Sequence, residues 1–64
     1  PGAESAVAYL NLGAIYANLK NDYPTTLIYL EKYVELAPDS QDTDRIKSQI
    51  QQIKTMLREK KPEL

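Results

Sequence analysis

The chain has 64 residues, a formal net charge of -1, and no cysteine or histidine, which excludes disulfides, thiolate or imidazole metal sites and the usual neutral-pH acid–base group. A chain this short buries only about 60% of the surface its unfolded form exposes, so without such a staple it relies on association or on belonging to a longer chain. The near-neutral charge gives no overall electrostatic basis for binding nucleic acid or an anionic membrane, and no apolar run approaches the ~20 residues of a membrane span.

Pro1-Gly2 lacks the basic and apolar regions of a signal peptide, and a start without methionine points to an excised or processed chain. The absence of cysteine fits cytoplasm and periplasm alike, with the cytoplasm slightly favoured, and a soluble protein without a cofactor is expected.

The first helix is predicted over about residues 4–19. Tyr9, Leu12, Gly13 and Tyr16 recur at i, i+3, i+4 and i+7, and so share one face, the one expected to be buried. Gly13 in that stripe costs roughly 0.5–1 kcal/mol relative to alanine, which a close helix approach would offset. "KNDYP" breaks the chain: Asn21 or Asp22 can cap a new helix, and Pro24 is tolerated in its first turn. The second helix is predicted over 23–36, with Tyr23, Leu27, Leu30 and Val34 as its main stripe and Thr26, Tyr33 and Leu36 beside it. A connection this short makes the pair an antiparallel hairpin. In "APDSQDTD", Pro38 stops the second helix and Ser40, Asp42 or Thr43 can cap a third over about 42–60. That helix carries Ile46, Ile50, Ile53 and Leu57 as one narrow apolar seam on a polar body, and Lys54, Arg58, Lys60 and Lys61 suit the negative end of its dipole. The expected fold class is therefore all-α, a helical hairpin followed by a third helix.

These residues resemble the tetratricopeptide repeat, a helix-turn-helix unit of about 34 residues with a W-x2-L-G-x2-Y, A-x3-F and P pattern. Tyr9 stands in the tryptophan place, Leu12-Gly13 match the L-G pair, Tyr16 the tyrosine, Leu30 the phenylalanine and Pro38 the closing proline. The match covers about residues 6–40, and "LEKYVELAPDS" is close to the family's usual second-helix ending. Departures are a turn one residue longer than usual, and Thr26 and Tyr33 where the family has small residues. The third helix does not repeat the pattern: with Ile46 set at the place of Tyr9, Ile50 falls on the glycine and fills the close-approach position. The resemblance thus implies one repeat at 4–40, a capping helix at 41–60 and a frayed tail at 61–64, as part of an α-solenoid.

Opposite the predicted buried stripe, Val7, Asn11, Ala14 and Asn18 cluster on the first helix with Leu10 beside them. The bland reading is a solvated helix face. In proteins of the resembled family this face lines a groove for extended peptides, and here two asparagines could bond a peptide backbone while Ala14 leaves room for it. The family's carboxylate clamp would need several repeats; Asn11 alone falls on such a position in the hairpin, with the register of Lys47 open.

Other features reduce to structure. "DSQDTD" resembles the start of a calcium loop, but counting from Asp39 the required glycine and glutamate are Asp44 and Ile50, so its acids are read as helix-capping. Glu31 and Glu35 lie one turn apart without a cleft to separate their titrations, and there is no nucleophile motif or phosphate-binding glycine loop. The basic end lacks interleaved aromatics for base stacking. Tyr9, Tyr16 and Tyr23 are expected in the hairpin core, and Tyr29 partly exposed beside Ile28, where the two would mark a neighbouring unit or a convex-side partner.

The resulting expectation is a non-enzymatic protein-interaction module that binds a peptide or partner protein on its first-helix face, with no nucleic acid and no membrane insertion. Two alternatives stand beside it. One is self-association through the exposed side of the first helix, where Ala3, Ala6 and Ala8 would permit close approach. The other is an accessory repeat domain of a larger enzyme or assembly factor.

Overall fold

In the computed structural model three α-helices follow in order, α1 (Gly2–Asn18), α2 (Tyr23–Leu36) and α3 (Thr43–Glu59). The structure describes residues 2–59, with side-chain surroundings from Ser5 onward. The expected tail at 61–64, Lys60, Lys61 and the packing of Ala3 lie outside the described residues. The all-α hairpin with a third helix is present as expected: α2 has the predicted bounds, and the ends of α1 and α3 differ from those predicted by one or two residues.

The α1–α2 turn is built by two residues. Asn21 takes a left-handed backbone (φ 52°), a conformation asparagine tolerates better than most side chains. Of the two candidate caps the fold uses Asp22, whose Oδ1 accepts from the Thr25 N–H (3.2 Å) and whose Oδ2 accepts from the Thr25 hydroxyl (2.7 Å). Pro24 sits in the first turn, where its missing N–H leaves no helical bond unmade.

α1 and α2 approach closely at Gly13. A Cβ placed there would lie 3.2 Å from Leu30 Cδ2 and 3.6 Å from Tyr29 Cβ, so the missing side chain is what lets α2 approach. Beside it Thr26 is buried at 2% exposure; its hydroxyl donates to the Asp22 carbonyl (2.9 Å), with the Gly13 carbonyl across the interface a second acceptor at 3.3 Å. A threonine is thus buried at this helix contact without an orphaned hydroxyl.

The centre of the buried face of α1 differs from the predicted stripe. Ala6 is its most buried side chain, at 1% exposure, and Leu10 packs against the same core, while Tyr9, Leu12 and Tyr16 are half-buried along one flank. The two tyrosine rings pack against α2 there: Tyr29, off the main stripe of its helix, stacks on Tyr9 with centroids 5.9 Å apart and meets Tyr16 at a tilt, 5.5 Å away. Lys20 Nζ lies over the Tyr16 ring at 5.6 Å. Tyr23, expected in the core, is half-buried, and Ile28 is exposed.

The core proper joins all three helices: Ala6, Leu30, Tyr33, Ile46 and Ile50 are buried, with Leu27, Val34 and Ile53 packed against them. Ile46, Ile50 and Ile53 form the predicted seam of α3; Leu57 continues it, half-buried. Tyr33 occupies a small-residue position of the resembled repeat and is nevertheless buried, because its hydroxyl finds a partner in the α2–α3 connection. Thr43 Oγ1 donates to the Ala37 carbonyl (2.6 Å), so it must accept from Ser40 Oγ (2.8 Å), and Ser40 in turn accepts from the Tyr33 hydroxyl (2.8 Å). This one-way relay fastens the start of α3 to the end of α2. Asp42 accepts the first helical bond of α3 through its carbonyl (Ile46 N–H, 2.9 Å), while its carboxylate pairs with Arg45 at 3.5 Å.

Candidate interaction groove

α1 and α3 both run antiparallel to α2 and therefore point the same way. They do not close on each other: among the described residues no Cα of α1 comes within 8 Å of a Cα of α3. The opening between them is a groove of about 410 Å³. Its base is formed by Gly13 and Ile46 with Thr26 and Leu30 of α2. Leu10, Asn11, Ala14, Ala17 and Asn18 make the α1 wall, and Arg45, Gln49, Gln52 and Ile53 the α3 wall.

Four of the five residues singled out on the first-helix face, Leu10, Asn11, Ala14 and Asn18, line this groove; Val7 does not, and stands 54% exposed on the shoulder of α1. The signature positions serve the scaffold. Gly13 and Leu30 meet at the helix contact and also reach the groove base, Tyr9, Leu12 and Tyr16 lie on the opposite flank of α1, and Pro38 is exposed in the α2–α3 connection.

The α3 wall was not foreseen. Arg45, Gln49 and Gln52 follow each other at i, i+4 and i+7, beside the apolar seam of Ile46 and Ile53. A polar helix face at that spacing is a signal the sequence carries, but only the placement of α3 across from α1 turns it into a wall. Chemically the lining is uncharged apart from Arg45, contains no carboxylate, and sets four carboxamides above an apolar base.

Elsewhere the surface is plain. Glu31 and Lys54 pair at 3.1 Å across α2 and α3, both about half exposed, and Lys32 pairs with Glu35 at 3.7 Å along α2. The acids of "DSQDTD" do not converge: Asp39, Asp42 and Asp44 are exposed, and Asp42 is engaged by Arg45. The outer side of α1 exposes Ala8 and Ile15, and Leu19, just beyond the helix end, is 78% exposed. Ala6, one of the three alanines expected on that side, faces the core instead. Among the described residues no helix is long and apolar enough to cross a membrane. No protein-family model matches the chain, and no curated protein or solved structure does either.

Proposed function

We propose that this chain is a non-enzymatic protein-interaction module, a tetratricopeptide-like hairpin with a capping third helix, that takes a peptide segment of a partner protein between α1 and α3. The observation that carries this reading is the groove itself: Asn11 and Asn18 on one wall face Gln49 and Gln52 on the other, over a base that includes Leu30 and Ile46. Carboxamides both donate and accept, as a peptide backbone requires, and an apolar base rewards burial of the peptide's side chains. The resemblance to the repeat family supports the same reading, since that face is the family's peptide groove.

The test begins with peptides selected from a displayed random library on the chain, titrated calorimetrically against the native sequence and against Asn11→Ala with Asn18→Ala. Both asparagines are exposed, so the melting temperature stays unchanged while affinity falls about tenfold. Undiminished affinity refutes the groove.

A second reading, self-association, is favoured by the exposed apolar side chains Val7, Ala8 and Ile15 of α1 and Leu19 just beyond its end. Light scattering after gel filtration decides it: a mass that stays monomeric as concentration rises sinks self-association and leaves the groove untouched.

A further inference from the structure

We infer that α1 pairs with α1 of a second copy of this chain, in antiparallel sense, through a seam of Ser5, Ala8, Leu12, Ile15 and Leu19 centred on Leu12. The inference rests on the self-association reading above and specifies its surface and its direction. From Ser5 to Leu19 the chain carries no charged residue, and a helix that is apolar on more than one side is one that is covered on more than one side. Ala6, Leu10 and Gly13 face the protein's own core and base of the groove. The five seam residues recur at spacings of 3, 4, 3 and 4, the period of a two-helix contact, and lie about a third of a turn from both the core face and the groove wall. Ser5, Ala8 and Ile15 are exposed, Leu12 is half-buried, and Leu19 is 78% exposed, its N–H continuing the helical bonding to the Ile15 carbonyl (2.9 Å).

The choice of a second copy comes from how size and charge are ordered along the seam. Its small side chains, Ser5 and Ala8, stand at one end, and its large ones, Ile15 and Leu19, at the other. Reversed about Leu12, Leu19 meets Ser5 and Ile15 meets Ala8 within one residue of level, so each of these layers pairs large with small, and the two Leu12 side chains meet on the axis. A parallel pairing sets large against large at one end and small against small at the other, wedging the helices apart. Charge follows the same symmetry. Glu4 and Lys20 bound the uncharged stretch, each eight positions from Leu12, and reversal brings the end that carries Lys20 onto the end that carries Glu4, where parallel pairing sets like charges together. A lipid surface is a poorer occupant, since among the described residues Lys20 is the one cation beside the seam and interfacial helices carry several.

The seam is about 21 Å long and one helix wide, which places it with the small interfaces under about 1,200 Å². The dimer is accordingly weak and forms at roughly 0.1–1 mM.

Sedimentation equilibrium of the chain from about 20 µM to 2 mM, bracketing that range, is expected to show monomer passing to dimer. Ala8→Lys, on an exposed position of the seam, should weaken dimerisation at least about tenfold, whereas Val7→Lys, equally exposed but about a third of a turn away, should not; circular dichroism at low concentration checks that both variants keep the native helix content. The chain has no cysteine, so single cysteines report direction under mild oxidation. Leu12→Cys should join to itself. Ala8→Cys and Ile15→Cys should each fail to do so, their copies lying about 12 and 9 Å apart along the axis, beyond the roughly 7 Å a disulfide spans, yet join to one another when mixed. Self-joining of Ala8→Cys, or equal weakening by Val7→Lys and Ala8→Lys, overturns the inference and leaves self-association standing through another contact. A chain that stays monomeric to 2 mM overturns both, and the groove reading is unaffected.

Discussion

Replacing Gly13 tests the contact on which the hairpin turns. An alanine there places its Cβ 3.2 Å from Leu30 Cδ2, with Leu30 Cγ and Tyr29 Cβ at 3.6 Å. The first distance is a few tenths of an ångström too short, and Leu30 is buried, so it has little room to yield. Against that strain stands the helix-propensity gain of roughly 0.5–1 kcal/mol from removing a mid-helix glycine. The two terms nearly cancel, and Gly13→Ala is expected within about 1 kcal/mol of the native stability. Gly13→Leu adds three further carbons into the same contact. Overpacking of this kind costs about 1–3 kcal/mol in ordinary cores, and here the upper end applies because the obstruction sits between two helix backbones. A loss of about 3 kcal/mol lowers the melting temperature by roughly 12–24 °C in a domain of this size. It also removes a large part of the roughly 3–10 kcal/mol that a chain of this length has. Ala14→Leu is the control: one residue along, on an exposed position, it should leave the melting temperature almost unchanged while blocking the groove. Circular dichroism melts of the three variants settle the matter. A Gly13→Leu protein that melts within a few degrees of the native chain refutes the close approach, and a Gly13→Ala protein that gains the full propensity term shows that Leu30 is not in its way.

Three further outcomes follow from the helix ends and the surface. Asp22→Ala loses both bonds to Thr25 and should cost about 1 kcal/mol, read as a urea-midpoint shift at constant slope. Tyr33→Phe and Thr43→Val each interrupt the relay to the Ala37 carbonyl and should cost about 1–3 kcal/mol, the second more because it breaks the shortest bond, takes away the acceptor of the Ser40 hydroxyl and leaves the Ala37 carbonyl only the longer bond from the Ser40 N–H (3.4 Å); a double variant well short of the sum would identify the two hydroxyls as one network. Lys54→Ala breaks a half-exposed ion pair with Glu31 and should change stability by less than about 1 kcal/mol, a difference that shrinks further as salt is added.

Much of this fold is legible in local chemistry. Pro24, Pro38 and the acids beside them mark both breaks, and the glycine inside an apolar stripe announces the helix contact. What escaped reading depended on surroundings. Ala6 is too small to dominate a periodicity, yet smallness is what lets it sit at the centre of the core. Tyr29 falls off the main stripe of α2, but aromatic rings reach sideways, and Tyr9 and Tyr16 were positioned to receive it. Tyr33 looked too large for its place because the relay that satisfies its hydroxyl comes from Ser40 and Thr43, beyond the helix. The α1 half of the groove could be read from one helix face. The α3 half could not, since Gln49 and Gln52 become a wall only when α3 is set across from α1.

The separation of α1 from α3 has a consequence for cooperativity. Each outer helix is held chiefly through α2, so losing α3 exposes Ile46 and Ile50 without disturbing the Gly13–Leu30 contact. Amide hydrogen exchange should therefore show two opening events, a lower-energy one releasing α3 and a higher one dissolving the hairpin. A bound molecule that touches both walls supplies the missing cross-link. It would slow exchange in α3 more than in α2 and draw the two events toward one, so occupancy would be written in the order in which the protein comes apart.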